Sequence, residues 1–377
     1  MQNANQPSQD VLSSRTKWIS LVALTVIALV VVLLFAELTI RIRQAAKYGS
    51  VTAVEEFYTL DPQSGLRIPR AGFSDGHISI NSLGFRGPEI AAEKPAGTVR
   101  LAFLGASTTI SHEVSGNEFV WPHLATASLS QAFPKVRFDY VNGGVSGYTV
   151  NSSFQNLEYR IAPLRPDVII IYHATNDMSG ELRELALAQG LIAEGGFQEF
   201  SWPGRYSVLW NLVEKNLRVM AAERIALENR DRLVFDPPRL GAEFRANLVK
   251  LVHSAQKQAK VVAIATFSTH LRKGQTQEQQ QRAMASAIFY MPFMTFEGLL
   301  ASYERYNQII GEVARETGAL LIEGENDIPG TPAYFTDSVH FNDEGSKAMA
   351  DRVSRALATN PAFRKILAPD MLKQDDL

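Results

Sequence analysis

The chain has 377 residues, of which 46% are hydrophobic, with a formal net charge of −2 and no cysteine. That length allows one large domain or two small ones, and the near-neutral charge without a basic tract gives nucleic acid no electrostatic footprint. The lack of cysteine excludes disulfides, a thiolate nucleophile and a cysteine-ligated zinc ion.

An apolar segment near the N-terminus predicts a membrane anchor. Trp18 to Ala36 carries no charge, and a helix of that length rises about 28 Å, close to the thickness of a bilayer core. Buried core helices are usually shorter and carry a polar stripe, and no A-x-A-like cleavage site of a signal peptide follows. Basic residues flank both ends: Arg15, Lys17, Arg41, Arg43 and Lys47. The positive-inside count is therefore close to a draw and leans slightly against an exported catalytic domain.

Apolar runs further along the chain predict a regular alternation of strands and helices. Strands are predicted at 99–105, 137–142, 167–173, 261–267 and 319–324, and a last helix at 344–357 with Asp343 as its N-cap. Strands that alternate with helices favour a parallel sheet covered on both faces, an α/β fold. Two long inserts, 178–240 and 271–296, interrupt the alternation.

These patterns predict five segments along the chain. Residues 1–17 form a cytoplasmic or disordered tail, 18–36 the transmembrane anchor and 37–97 a juxtamembrane segment. Residues 98–360 form the catalytic domain, and 361–377 form a C-terminal tail.

Short polar stretches follow the predicted strands, where open α/β sheets bind their ligands. They are GASTT at 105–109, GGVSGY at 143–148, ATND at 174–177 and Asp337-x-x-His340. Because the carboxyl ends of parallel strands meet at one edge of the sheet, we expect these stretches to lie close together.

The residue types in these stretches fit acyl transfer through a serine. Ser107 at a strand-to-helix turn would be the nucleophile, His340 its base and Asp337 the group that orients the imidazole ring. The N–H groups of Ser107 and Gly147 and the side-chain amide of Asn176 would form an oxyanion hole. This chemistry needs no metal or cofactor, and none is predicted.

Each stretch also has a plainer interpretation. Asp337-x-x-His340 alone is common by chance, Gly147 alone is typical of a turn and Asn176 alone of a helix cap. A glycine-rich turn after a first strand often holds nucleotide phosphates, but GASTT has neither the G-x-G-x-x-G spacing nor a G-K-[ST] ending. His173 is predicted to form structural hydrogen bonds at the end of its strand and not to take part in catalysis.

Together the stretches GAST, NGGVSGYT, ATND and DSVH resemble the four signature blocks of the SGNH/GDSL hydrolase superfamily over residues 80–358. The lead-in NSLGFRGPE and the PDVIII run are similar to a membrane-anchored bacterial branch. The resemblance implies a three-layer α/β/α flavodoxin-like sandwich with strand order 2-1-3-4-5. It also implies the roles given above for Ser107, Gly147, Asn176, Asp337 and His340.

The chain departs from the family pattern at two positions. Ala106 stands where the nucleophile block usually has Asp, which weakens assignment to the lipolytic GDSL branch. Ala174 stands where the third block usually has Gly, and could displace the amide of Asn176. Neither departure removes a catalytic group.

The sequence therefore predicts a membrane-anchored serine esterase or deacylase that acts on O-acyl esters, with acetyl groups on cell-envelope glycans as the expected substrate. The alternatives are an O-acyltransferase with the same acyl-enzyme, a lipase or thioesterase, and a non-catalytic glycan-binding or assembly protein. The expected location is the bacterial inner membrane, with the catalytic domain in the periplasm or outside the cell. The sequence predicts no oligomeric state.

The two inserts carry aromatic residues that could wall a substrate site. The first has Trp202, Tyr206 and Trp210, and the second has AIFYMPFM at 287–294, including Phe289, Tyr290 and Phe293. Aromatic faces suit sugar rings, which favours short acyl groups over long ones. Packing of these residues in a satellite core is the equal alternative.

Overall fold

The computed structural model describes residues 14–48, 57–192, 201–228 and 232–372. They fall into two compact units. The anchor unit contains the N-terminal helix and residues 201–217, and the sheet unit contains the remaining described residues. The predictions for residues 1–13 and 373–377 lie outside the described residues.

The elements follow one another in chain order as helices and short strands. The helices are α1 (Ser14–Tyr48), α2 (Ser107–Ile110), α3 (Trp121–Ala132), α4 (Val150–Asn156), α5 (Thr175–Ala188), α6 (Trp202–Tyr206), α7 (Val208–Glu228), α8 (Ala242–Gln258), α9 (Gln277–Tyr290), α10 (Phe296–Thr317), α11 (Asp343–Thr359) and α12 (Pro361–Leu372). The strands are β1 (Tyr58–Leu60), β2 (Arg67–Pro69), β3 (Thr98–Gly105), β4 (Arg137–Asn142), β5 (Val168–Tyr172), β6 (Val261–Ala265) and β7 (Leu320–Ile322).

Strands β3 to β7 form one parallel sheet in the order β4-β3-β5-β6-β7. Numbered within this sheet alone, they stand in the order 2-1-3-4-5. Every residue of β3, β5 and β6 is buried, because these strands have neighbours on both sides and helices over both faces. The predicted strands end within two residues of the observed ones, and the α/β fold with helices on both sides is confirmed.

The helices sort onto the two faces of the sheet. Helix α3 packs against α11 on one face, while α8 packs against both α4 and α10 on the other. The carboxyl ends of β3, β4 and β5 therefore open at one edge, between the two helix layers. That edge carries the first three predicted site stretches.

The segment before β3 is part of the sheet unit. Strands β1 and β2 form a small antiparallel hairpin, and Phe57, Ile78 and Ile80 pack with Ile110 of α2. Phe85 lies in the main core. Residues 57–97 therefore pack against the sheet unit, in part beside the turn that follows β3, although the sequence suggested a juxtamembrane segment.

The C-terminal end of the sheet unit also differs from the expectation. Residues 361–372 form α12, and Phe363 and Leu367 are fully buried, so this stretch is a packed helix and not a tail. Phe363 stacks on Phe138 at a ring distance of 6.4 Å. The N-cap of α11 is Asn342, whose side chain accepts from the Gly345 N–H, and not Asp343.

In the anchor unit, α1 is longer than the predicted span. The stretch Thr16–Arg43 is long and apolar enough to cross a membrane, and none of its most apolar window is buried. Most side chains of α1 therefore make no packing contacts with the rest of the described chain.

Candidate active site

Ser107 lies where the sequence predicts it, at the first position of α2 directly after β3. The helix has only four residues and ends at Ser111, whose φ of 55° is left-handed. Gly144 lets the loop after β4 approach this turn, because a Cβ on Gly144 would lie 2.5 Å from the Ile110 backbone nitrogen. Ser107 is thus presented on a tight turn beneath a neighbouring loop.

Buried side chains from three other segments hold the carbonyl groups of α2. Each donates one hydrogen bond to the short helix. The pairs are Trp121 Nε1 to Thr108 O at 3.0 Å, Asn142 Nδ2 to Thr109 O at 3.1 Å and Arg86 Nη1 to Ile110 O at 2.9 Å. Because such a short helix has few backbone bonds of its own, these donors fix its orientation and with it the Ser107 hydroxyl.

Asp337 and His340 lie on a closed loop before α11. The Oδ1 atom of Asp337 accepts the backbone N–H groups of Val339 and His340, both at 2.9 Å. Its Oδ2 atom pairs with Nδ1 of His340 at 2.8 Å. The carboxylate therefore shapes the loop and holds the imidazole ring.

The structure brings Ser107 and His340 into contact across 233 positions of the chain. Nε2 of His340 lies 2.8 Å from Oγ of Ser107. Burial alone lowers the pKa of His340, but the hydrogen bond with Asp337 and the charges of Glu113 and Asp337 outweigh it and raise the pKa above its ordinary value. Burial raises the pKa of Asp337, but its hydrogen bonds with His340 bring the net pKa below the usual range.

Helix α9 of the second insert, together with His270 just before that insert, binds the backbone and side chain of this loop at Ser338. Ser338 is buried, its hydroxyl accepts from Ser286 Oγ of α9 at 2.8 Å, and its carbonyl accepts the N–H of His270 at 2.8 Å. Phe335 and Phe341 form a bridge that closes the loop on either side of the Asp337–His340 pair. Helix α9 thus positions the imidazole through the backbone next to it.

Gly147 and Asn176 follow β4 and β5, the two strands that flank β3. Gly147 has a φ of 84°, which favours glycine. One N–H of the Asn176 amide donates to the Tyr148 carbonyl at 2.8 Å, so the amide ties the two loops together. The amide has a second N–H that remains to act as a donor.

Glu113 is a site residue that the sequence reasoning missed. Its Oε1 atom lies 4.0 Å from Nδ1 of His340, and burial raises the pKa of its carboxyl group. The loop that carries it is tied to the start of α11 by Ser115, whose N–H donates to Asp343 Oδ1 at 2.8 Å. His340 therefore faces two carboxylates. The position of Glu113, six residues after Ser107, is the one sequence signal that could have indicated it.

The β1–β2 hairpin forms one wall beside the Gly147 loop. Arg67 donates from Nη2 to the Ser146 carbonyl at 2.6 Å, and its guanidinium lies 4.3 Å from the Tyr58 ring centroid. Tyr58 packs with a small cluster that includes Ala106, next to Ser107. No short motif marks these positions, because their role depends on how the hairpin folds back on the sheet.

Other predicted positions take no direct part in the Ser107–His340 contact, although Tyr290 on α9 lies close enough to Asp337 that burial and the carboxylate charge together raise the pKa of its phenol. His173 is buried and shares a 2.7 Å hydrogen bond with Ser153, the structural role that the sequence predicted. Phe293 is buried in the main core, whereas Tyr290 is 52% exposed. The packing alternative therefore holds for Phe293. The aromatic residues of the first insert belong to the anchor unit.

Within the described ranges, no group of three His, Asp or Glu side chains is arranged to hold a metal ion. A cleft of about 790 Å³ lies between α10 and the loops after β6 and β7, and its lining includes Arg272 and Tyr303. None of the five predicted site residues lines this cleft. The candidate site is therefore the Ser107–His340 contact, where an imidazole lies within hydrogen-bond distance of both a hydroxyl and a carboxylate.

Comparison with solved structures finds two acetyl xylan esterases and an alpha/beta hydrolase at low sequence identity. Axe2, an acetylxylan esterase from Geobacillus stearothermophilus, is 18% identical with a TM-score of 0.38, and the match covers 68% of this chain and 91% of that chain. LAE5, an alpha/beta hydrolase from the metagenome of Lake Arreo, Spain, is 18% identical with a TM-score of 0.40, covering 68% and 94%. The acetyl xylan esterase AlAXEase is 14% identical with a TM-score of 0.39, covering 68% and 99%.

No curated protein matches the chain in the sequence comparison. The model of the GDSL-like Lipase/Acylhydrolase family matches residues 103–348, a range that contains all the strands of the parallel sheet from the end of β3 onward and every predicted site residue. Because this match spans more than half of the chain, the protein belongs to the GDSL-like lipase/acylhydrolase family and is a hydrolase of ester bonds.

Proposed function

We propose that the protein is a membrane-anchored serine esterase that removes short O-acyl groups, acetyl groups foremost, from glycans of the cell envelope. The observation that carries the proposal is the continuous contact from Asp337 through His340 to Ser107, with both heavy-atom distances at 2.8 Å. That arrangement supports a triad in which each group has a defined partner.

Acylation would begin when the Ser107 oxygen attacks the ester carbonyl and His340 Nε2 accepts the hydroxyl proton. The tetrahedral intermediate collapses as the imidazolium returns that proton to the leaving alcohol, which departs and leaves an acyl-serine. Water then attacks the acyl-serine, with His340 again as the base, and releases the carboxylic acid. Asp337 stabilises the imidazolium in both steps and keeps Nε2 directed at the serine.

The negative charge on the intermediate would be stabilised by the N–H groups of Ser107 and Gly147 and by the Asn176 amide. These groups come from the loops after three adjacent strands. The hydrogen bond from Asn176 to Tyr148 supports the assignment, because it couples the amide to the loop that carries Gly147. Donors held in this way need no reorganisation when the charge develops.

The proposed substrate rests on the anchor. A catalytic domain tethered by α1 would work next to the membrane, and the tether would raise its effective concentration towards esters of the cell envelope. We infer that the domain faces away from the cytoplasm. An alkaline-phosphatase fusion after Leu377 should be active, and an inactive fusion beside an active cytoplasmic reporter would reverse the orientation.

The experiment that tests the proposal is hydrolysis of a short aryl ester by Ser107→Ala, His340→Ala and the double variant. Each single change should abolish turnover, and the double variant should be no worse, because triad members act as a unit. Turnover that persists in Ser107→Ala would refute the assignment. Release of free acetate from an acetylated glycan, without transfer to an added acceptor sugar, would identify a hydrolase, and transfer would identify an acyltransferase.

A further inference from the structure

Residues 201–217 of the anchor unit form an amphipathic segment, which we call the aromatic elbow. In α6, Trp202 and Tyr206 are one turn apart, 75% and 70% exposed, with ring centroids 5.7 Å apart. In α7, Trp210, Val213 and Leu217 recur at helical spacing and are 49%, 39% and 60% exposed. An apolar face of this kind normally packs against something.

The elbow is fixed to one particular level of α1. The Glu37 carboxylate accepts the N–H groups of Val208 at 2.9 Å and Leu209 at 2.8 Å and the hydroxyl of Ser207 at 2.8 Å. Arg41, which also pairs with Glu37 at 2.7 Å, donates to the Tyr206 carbonyl at 2.9 Å. One carboxylate thus caps the first turn of α7 and joins it to α1.

That level coincides with the end of the apolar stretch. A bilayer core takes about 20 helical residues, so a span that begins at Trp18 leaves the core close to Glu37. The charges of Glu37 and Arg41 and the aromatic rings of the elbow then lie at the depth of the lipid headgroups. Trp and Tyr are the residues enriched at that depth, because their rings are apolar and their N–H and O–H groups are polar.

We propose that the aromatic elbow inserts its Trp202, Tyr206 and Trp210 face into the lipid headgroup region beside α1, so that the protein is held by a span and an interfacial helix together. The proposal rests on the membrane anchoring in the proposed function. It gives the first insert a role in fixing the chain at the membrane surface, in place of the sugar-binding wall suggested by its composition.

The test uses the full chain in vesicles of phosphatidylcholine and phosphatidylglycerol, in which part of the phosphatidylcholine carries bromine on the acyl chains near the headgroup. Trp121 is fully buried in the sheet unit and stays in every variant as the internal control. Trp18→Phe, Trp202→Phe and Trp210→Phe together leave Trp121 as the only tryptophan, and each of the other three is restored in turn.

Fluorescence of restored Trp202 and of restored Trp210 should be quenched several-fold more by the brominated lipid than that of Trp121. Quenching of Trp18 without quenching of Trp202 or Trp210 would overturn the elbow proposal and leave the anchor intact. A lack of quenching at all three would overturn the anchor as well. Protection of Trp202 and Trp210 from both bromolipid and aqueous acrylamide would mean that protein covers the face, which also contradicts the proposal.

Discussion

Replacing Glu113 with Gln should shift the pH dependence of hydrolysis, because Glu113 faces the proposed base. His340 must be neutral to accept the Ser107 proton, so activity is lost as the pH falls through its pKa. The pKa of His340 lies above its ordinary value, partly because of Glu113. Removing that negative charge lowers the pKa of His340, keeps the imidazole neutral to lower pH and moves the acid limb downward.

The size of the shift follows from the distance. Two unit charges 4.0 Å apart, the separation of Glu113 Oε1 and His340 Nδ1, interact by about 1 kcal/mol in water and about 4 kcal/mol at an effective dielectric constant of ~20. Because 28% of the Glu113 side chain is exposed, solvent screens the pair and the lower value applies. Since one pKa unit corresponds to about 1.4 kcal/mol, we expect a shift of about 0.7 to 1 unit.

The assay is kcat/KM for a short aryl ester between pH 5 and 9, where the aryl leaving group gives a direct absorbance signal. Glu118→Gln is the matched control, since Glu118 is exposed on the following helical turn. The plateau at high pH should stay within a few-fold of the parent in both variants. An acid limb that stays in place in Glu113→Gln, or that moves to higher pH, would refute the electrostatic argument.

Three further predictions concern the oxyanion donor Asn176, the buried carboxyl group of Asp177 and the core residue Phe293. Asn176→Ala should reduce kcat by about 10²–10³-fold with little change in KM, because one oxyanion donor is lost. Activity that stays within a few-fold of the parent would show that the Asn176 amide only binds the Tyr148 carbonyl and stabilises no oxyanion. Burial raises the pKa of Asp177 to about 7. The folded protein therefore keeps a proton that the unfolded chain loses between about pH 4 and 7, and stability falls as the pH rises through that window. Asp177→Asn, which keeps an acceptor for the Val150 N–H, should raise the melting temperature more at pH 8 than at pH 4, and an equal change at both pH values would contradict this. Phe293→Ala should destabilise the fold by about 3–5 kcal/mol, whereas Tyr290→Ala should have a much smaller effect in the same thermal scan.

The sheet could be predicted closely because its central strands are short, almost entirely apolar runs, a pattern typical of strands buried on both faces. VIIIY at 168–172 is buried over its whole length and reads as a strand from its composition alone. Asp337-x-x-His340 could be assigned only together with the three polar stretches that follow the other strands, because the motif alone is common by chance. Assignment to the same edge of one sheet predicted that this pair lies near Ser107, and the 2.8 Å contact itself comes from the structure.

The remaining features depend on contacts between distant parts of the chain. Arg86 holds the Ile110 carbonyl, but in the sequence it is one basic residue in a glycine-rich stretch. Glu113 acquires its place only when Ser115 binds Asp343. Composition also could not distinguish Phe293, which packs in the core, from Trp202, which is exposed in the anchor unit. Aromatic residues fit both environments, and only the fold decides between them.

Covalent labelling with a fluorophosphonate tests whether Ser107 is an activated nucleophile, because the reagent reacts with a serine only where a base activates it. We expect one equivalent of label on the intact full chain, located by peptide mass analysis on Ser107. The label should be absent in Ser107→Ala and strongly slowed in His340→Ala. A label on any other residue, or undiminished labelling of Ser107→Ala, would show that Ser107 is not the activated nucleophile.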